Sequence, residues 1–312
     1  MKIDVFSHFL PKMYFEGLGR KVVAGIDLSK LSPWILGDNA ALTDIDVRVR
    51  FMDRYPDVRQ VLSLPLPALE DALVTRSDAV ALARTANDAL AEIVAKYPDR
   101  FIGAVACLPL SDPDAAMEEA DRAITQLGLR RVQIFTSIDG EPLDVLKFKP
   151  LYERMARYDL PIWIHPADPP IWRRLLGDQL IALKLGWPVE TSIAMVRLAR
   201  AGVFEEHPDI KFITHHCGAM IPYFERRIGI EQLRKFYNDT AVDGNTAALM
   251  CAYAYCGADN LLFATDMPFA GAEGSYGVTS ETIRSIEQMD VPAIDKDKIF
   301  EGNARRLLNL TA

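Results

Sequence analysis

The chain has 312 residues and a mass of 34.8 kDa, with 50% hydrophobic and 25% charged residues. This is a globular balance, and the length can bury a sizeable core without disulfides or a structural metal. The formal net charge of -8 argues against a nucleic-acid-coating protein, which needs a basic face; a local basic pocket for a small anion is compatible with it.

The N-terminus, Met1-Lys2-Ile3-Asp4-Val5-Phe6-Ser7-His8, is interrupted by Asp4 and His8 and has no apolar stretch of a signal peptide. No run of about 18 uncharged apolar residues occurs, so no membrane span is expected. The four cysteines, Cys107, Cys217, Cys251 and Cys256, form no CxxC pair. Reduced thiols in the cytoplasm are the expectation.

Along the chain, short apolar runs alternate with helical patterns. A first strand is predicted at 2–6, followed by a long connection at 11–45. A strand at 60–65 precedes an Ala-rich helix at 77–96. Next come a strand at 101–107 and a helix at 113–127, with Asp112 as N-cap and Pro113 at its first position. A strand at 131–135, a helix at 149–158 and a strand at 161–165 lead to a second long connection at 168–190. A helix at 191–201, a strand at 211–215, a helix at 221–235 and strands at 236–240 and 261–265 complete the order. Several strands are near-continuous apolar runs, as strands buried on both faces should be. Eight strands alternating with helices predict a parallel (β/α)8 TIM barrel, with a doubly wound open sheet as the alternative. No GxGxxG follows a strand, so a dinucleotide site has little support. The expectation is one domain over 1–312, with elaborated loops after strands 1 and 5.

The five histidines are His8, His165, His207, His215 and His216. His8 lies just past strand 1, His165 closes strand 5, His215 and His216 close strand 6, and Asp266 closes strand 8. In a barrel these ends meet on one face. Imidazole and carboxylate together suit zinc, manganese or iron(II), and such an ion polarises a substrate oxygen or acidifies a water. If strand 6 continues through His215 and His216, they point to opposite faces and only one reaches the centre. His207, in Glu205-Glu206-His207-Pro208, belongs to a helix end and turn at the surface.

Four segments then carry a family resemblance. They are Lys2-Ile3-Asp4-Val5-Phe6-Ser7-His8, Ile164-His165-Pro166, His216-Cys217-Gly218-Ala219-Met220-Ile221-Pro222 and Phe263-Ala264-Thr265-Asp266-Met267-Pro268-Phe269. With Gly186-Trp187-Pro188-Val189-Glu190-Thr191, they make essentially the whole chain resemble the amidohydrolase superfamily. The resemblance is to the amidohydrolase-related group containing aminocarboxymuconate semialdehyde, γ-resorcylate and 5-carboxyvanillate decarboxylases. The resemblance implies one divalent ion, zinc or manganese, on His8, His165 and Asp266. His216, six residues before Pro222, would be a fourth ligand or an acid/base group. One position departs from the pattern: Phe6 stands where the first histidine of the HxH motif belongs, and phenylalanine cannot ligate. Residues 4, 6 and 8 share a face of an ideal strand, so Phe6 is expected beside His8 or in the layer beneath. The resemblance also implies that Arg48 and Arg227 bind substrate carboxylate, Arg227 from across a homodimer interface; an arginine fork matches a carboxylate.

These features point first to a metal-dependent, non-oxidative decarboxylase of a small aromatic or unsaturated carboxylic acid. Asp266 or His216 would handle the proton, and Trp34, Trp172, Trp187 and Phe269 could line an aromatic pocket. The same constellation could instead hydrolyse a lactone or amide. A third reading is a catalytically silent small-acid-binding protein in which Phe6 has disabled metal binding.

Overall fold

Eight parallel strands form a ring in the computed structural model, which describes residues 1–21, 39–65, 68–70, 75–269 and 277–310. They are β1 (Lys2–His8), β2 (Val58–Ser63), β3 in two pieces (Phe101–Ala104 and Ala106–Cys107) and β4 (Val132–Phe135). Then follow β5 (Ile162–His165), β6 (Phe212–Thr214), β7 (Tyr237–Asp239) and β8 (Leu261–Leu262). Each strand pairs with the next in sequence order. The two pieces of β3 are bridged by Val105 N–H donating to Leu62 O and Ala106 N–H to Arg131 O. The ring closes from β8 back to β1. Val5 N–H donates to Phe263 O at 3.0 Å, Asp266 N–H to Phe6 O at 2.9 Å and His8 N–H to Met267 O at 2.7 Å. The fold is the expected (β/α)8 barrel.

Ile3, Val5, Phe6, Val61, Trp163, Ile213 and Leu262 pack in one buried cluster. Side chains from strands this far apart in the ring meet only inside it, so this cluster fills the barrel. A larger cluster packs the helices against the outer face. The pairing register of β1 slips between Asp4 and Ser7. Phe6 packs in the interior cluster with Ile3 and Val5 and, as expected, lies beside His8, with ring centroids 4.4 Å apart.

Helix 113–125 starts as expected, with the Asp112 carboxylate accepting from Ala115 N–H at 3.2 Å. Four expectations need correction. The connection expected at 11–45 opens with helix Lys12–Lys21. The segment 168–190 is not a loop: it forms helix Pro170–Leu176 and most of helix Gln179–Arg200. Asp178 caps the latter by accepting from Ile181 N–H. The loop-like residues serve packing between the two helices. A Cβ on Gly186 would stand 2.8 Å from the Trp172 ring, and Trp172 Nε1 donates to Glu190 at 2.7 Å. The helix expected over 221–235 stops at Ile228, where Gly229 takes the left-handed conformation with φ 67°. Regular pairing in β8 ends at Leu262, because Phe263 and Asp266 turn their backbone bonds to β1.

Asp4 ties the closing seam. Its buried carboxylate accepts from the Gln60 amide at 3.0 Å, the Thr265 hydroxyl at 2.7 Å and Thr265 N–H at 3.0 Å, joining β1 to β2 and to the segment after β8. Asp4→Ala strands these donors. It is expected to cost about 3 kcal/mol or more, read from the denaturant midpoint; a loss below about 1 kcal/mol would contradict this role.

Candidate active site

The C-terminal ends of the strands bring one carboxylate and four imidazoles together. His8 Nε2 lies 3.2 Å from Asp266 Oδ1, and His216 Nε2 lies 3.9 Å from Asp266 Oδ2. The His8 and His165 rings are 5.3 Å apart between centroids, and those of His165 and His215 5.6 Å. Three of the four imidazoles have Nδ1 engaged. His8 pairs with Ser63 Oγ at 3.2 Å, His165 with Pro166 O at 2.8 Å and His215 with Asp239 Oδ2 at 2.8 Å.

The local backbone explains why both His215 and His216 reach the centre, where strand alternation allows only one. Strand β6 ends at Thr214. The chain then runs left-handed through His216, Cys217, Gly218 and Ala219, with φ of 56°, 59°, 73° and 56°. Asp239 holds this turn by accepting from Cys217 N–H at 3.1 Å. Asp266 is also left-handed, with φ 61°. Non-glycine residues held in this region store strain of about 1–3 kcal/mol each, and such strain gathers at functional sites.

Electrostatics divides the cluster. Burial pushes Asp266 up, but His216 and His8 outweigh it and hold the carboxyl well below its usual range. Burial pushes His216 down, but Asp266 outweighs it and keeps the imidazole above its ordinary pKa. His165 is driven well down by burial and by the charges of His8 and His215. Asp266 thus favours the charged form of His216, while burial favours the neutral form of His165.

Aromatic rings wall the cleft. Trp187 stacks on His216 at 6.0 Å and 13° and meets His165 edge-on at 6.1 Å. Phe269 lies 5.5 Å from the His8 ring and Phe135 5.1 Å from that of His165. The Trp187 indole N–H is buried and has no partner among the described residues. Trp172 instead packs between helices, and Trp34 lies outside the described residues.

Arg48 is fully buried on helix Ile45–Met52, which Asp44 caps. Its Nη2 donates to His8 O, and its Nε and Nη1 have no partner among the described residues. Burial pushes its pKa down to about 9, against the pull of Asp4, so it stays charged at neutral pH. Arg227 is exposed on helix Ile221–Ile228; among the described residues no ring or ion-pair contact brings it to the cluster. His207 caps the end of helix Val203–Glu206, away from the site. Sequence reasoning missed Asp239 and Ser63, which orient His215 and His8. Their positions at the C-terminal ends of β7 and β2 are the signal that could have found them.

The donor chemistry suits a divalent cation. Two ligands on one ion with bonds near 2.1 Å sit roughly 3.0–3.4 Å apart, and His8 Nε2 and Asp266 Oδ1 are 3.2 Å apart. Nδ1 of His8 and of His165 is tied to a partner, as in imidazoles that ligate through Nε2. Among the described residues no three such side chains are closed into a ligand set; the donors bond one another across the cleft. Phe6 contributes no donor.

The chain belongs to the amidohydrolase family: the family model matches residues 3–310. It is 34% identical over 298 residues to a γ-resorcylate decarboxylase of Rhizobium sp., covering 86% of this chain and 88% of that one. It superposes on a 2,6-dihydroxybenzoate decarboxylase complexed with 2,6-dihydroxybenzoate at a TM-score of 0.81, with 31% identity over 99% of each chain. It also superposes on a dihydroxybenzoic acid decarboxylase of Polaromonas sp. with bound manganese and 2-nitroresorcinol. That match has a TM-score of 0.81 and 29% identity, covering 99% of this chain and 97% of that one.

The left-handed turn is testable by itself. A Cβ on Gly218 would stand 2.7 Å from Asn238 Oδ1 at a φ of +73°. Gly218→Ala is expected to lower stability by about 1–2 kcal/mol from handedness alone, and further from the clash. An unchanged unfolding midpoint would contradict the turn.

Proposed function

We propose that this chain is a metal-dependent, non-oxidative decarboxylase of a small hydroxylated aromatic acid. The observation that carries the reading is the convergence of Asp266 with His8, His165 and His216 in an aromatic-walled cleft. Relatives that span nearly the whole chain decarboxylate γ-resorcylate and 2,6-dihydroxybenzoate by name. His8, His165 and Asp266 would hold the ion, manganese as in the Polaromonas protein or zinc. Bound there, it would supply positive charge to the acid's carboxylate or neighbouring hydroxyl.

The chain's own residues supply the rest. Trp187 and Phe269 sandwich the ring of the acid and exclude water. Arg48 offers two unpartnered guanidinium N–H groups beside His8, a match for a carboxylate. His216, whose pKa Asp266 holds above its ordinary value, delivers a proton to the ring carbon bearing the carboxylate. The bond from that carbon to the carboxylate then breaks, its electron pair returns to the ring, and carbon dioxide leaves. Asp266 stays ionised and stabilises the imidazolium.

Arg227 faces solvent, so it would reach a bound acid only from a second copy of the chain; a homodimer is the arrangement in which it contributes. All four cysteines are free, which suits the cytoplasm. No described helix is long and apolar enough to cross a membrane.

The purified, Mn(II)-loaded protein is expected to release carbon dioxide from 2,6-dihydroxybenzoate or a close hydroxybenzoate. His216→Asn should lower kcat by about 10²–10⁴-fold, the scale of a lost general acid. No release across hydroxybenzoates and carboxymuconates would contradict the reading, as would solvent oxygen entering the product. Arg48→Gln is expected to raise KM by about 10–100-fold, as loss of a charge-assisted contact does; unchanged KM would remove Arg48 from the substrate site.

A further inference from the structure

We infer that His215 supplies the metal ligand that Phe6 cannot, so that the fourth protein ligand comes from the end of β6 and His216 is left to the substrate. The inference rests on the metal-dependent reading above.

The ring of His215 lies 3.4 Å from that of Phe6, with 16° between their planes. Its imidazole therefore stands one ring thickness from the side chain at position 6. His215 is fully buried, and its Nε2 has no partner among the described residues. A buried polar atom left unpaired costs about 1–3 kcal/mol and calls for an explanation. Its other nitrogen is held by Asp239 Oδ2 at 2.8 Å. A carboxylate on Nδ1 with Nε2 open is the arrangement that orients metal-bound imidazoles. The spacing agrees: the His165–His215 centroid distance of 5.6 Å is close to the 5.3 Å of His8–His165.

His216 is differently placed. It keeps 18% of its side chain exposed, stacks on Trp187 and has its Nε2 directed to Asp266 at 3.9 Å. It faces the cleft rather than the packed interior. Phe6 and His215 thus read as a paired exchange, in which a donor lost from β1 is replaced by one on the neighbouring face of the same ring stack.

The test is Mn(II) binding, read by titration and by pulsed EPR, which counts coordinated imidazole nitrogens. Wild type and His216→Gln are both expected to show three imidazoles. His215→Gln should show two and bind at least about 10–100-fold more weakly, the range lost when a ligand's supporting partner is removed. Phe6→Glu in the His215→Gln background should restore affinity while the count stays at two. Thermal melting by circular dichroism checks that each variant folds, and the wild-type count needs no variant. Two imidazoles in the wild type, an unchanged count in His215→Gln, or a lost imidazole in His216→Gln would overturn the inference. Carbon dioxide release is scored separately. Three imidazoles without turnover would sink the activity and support His215, while turnover with two would sink His215 alone. A chain that takes up no Mn(II) overturns both.

Discussion

The contact between His8 and Asp266 at 3.2 Å is where the fold and the site become one problem. His8 ends the first strand, and Asp266 follows the last. Their side chains meet only because the ring closes, through Val5, His8 and Asp266 bonding Phe263, Met267 and Phe6 across the seam. Asp4 secures that seam from beneath with its bonds to Gln60 and Thr265. Loosening closure therefore moves both groups. Conversely, each strand that ends in a polar side chain is held by neighbours on both sides. This is how a barrel presents chemistry on a rigid support.

Asp266 and Asp239 do not hold all four imidazoles in the charged form. Burial and mutual repulsion drive His165 and His215 well down, while His216, partly open and nearest the free oxygen of Asp266, stays up. Burial thereby favours the neutral form of His165 and His215, and Asp266 the charged form of His216. Phe6 sharpens the separation. It places an apolar ring among His8, His165 and His215, which removes one donor and raises the cost of charging its neighbours.

Most of the framework was legible because the buried strands are short apolar runs, several of which end in a polar residue. Ile162–His165 and the stretch from Leu261 to Asp266 carry that mark directly. His215 was not legible. Alternation assumed an extended chain, and four successive left-handed residues from His216 to Ala219 break it. Asp239 was hidden in Tyr237-Asn238-Asp239, where nothing in composition separates a buried carboxylate from a turn residue. The helix through 179–200 was obscured for a different reason. Gly186 and Pro188 look like loop residues, yet Gly186 is there to let Trp172 approach. Pairwise tertiary contacts of this kind leave no periodic trace. The roles assigned to Arg227 and Trp34 depend on a second copy and on residues outside those described, so one chain's pattern could not place them.

The central claim is that the ends of the first and last strands share one cation centre with β5. Anomalous diffraction at the manganese edge, from crystals of the full chain grown with Mn(II), tests it most directly. The expected result is one strong peak between His8 Nε2 and Asp266, within reach of His165. A peak elsewhere on the molecule, or none while His8 and Asp266 remain bonded to each other, would contradict the account.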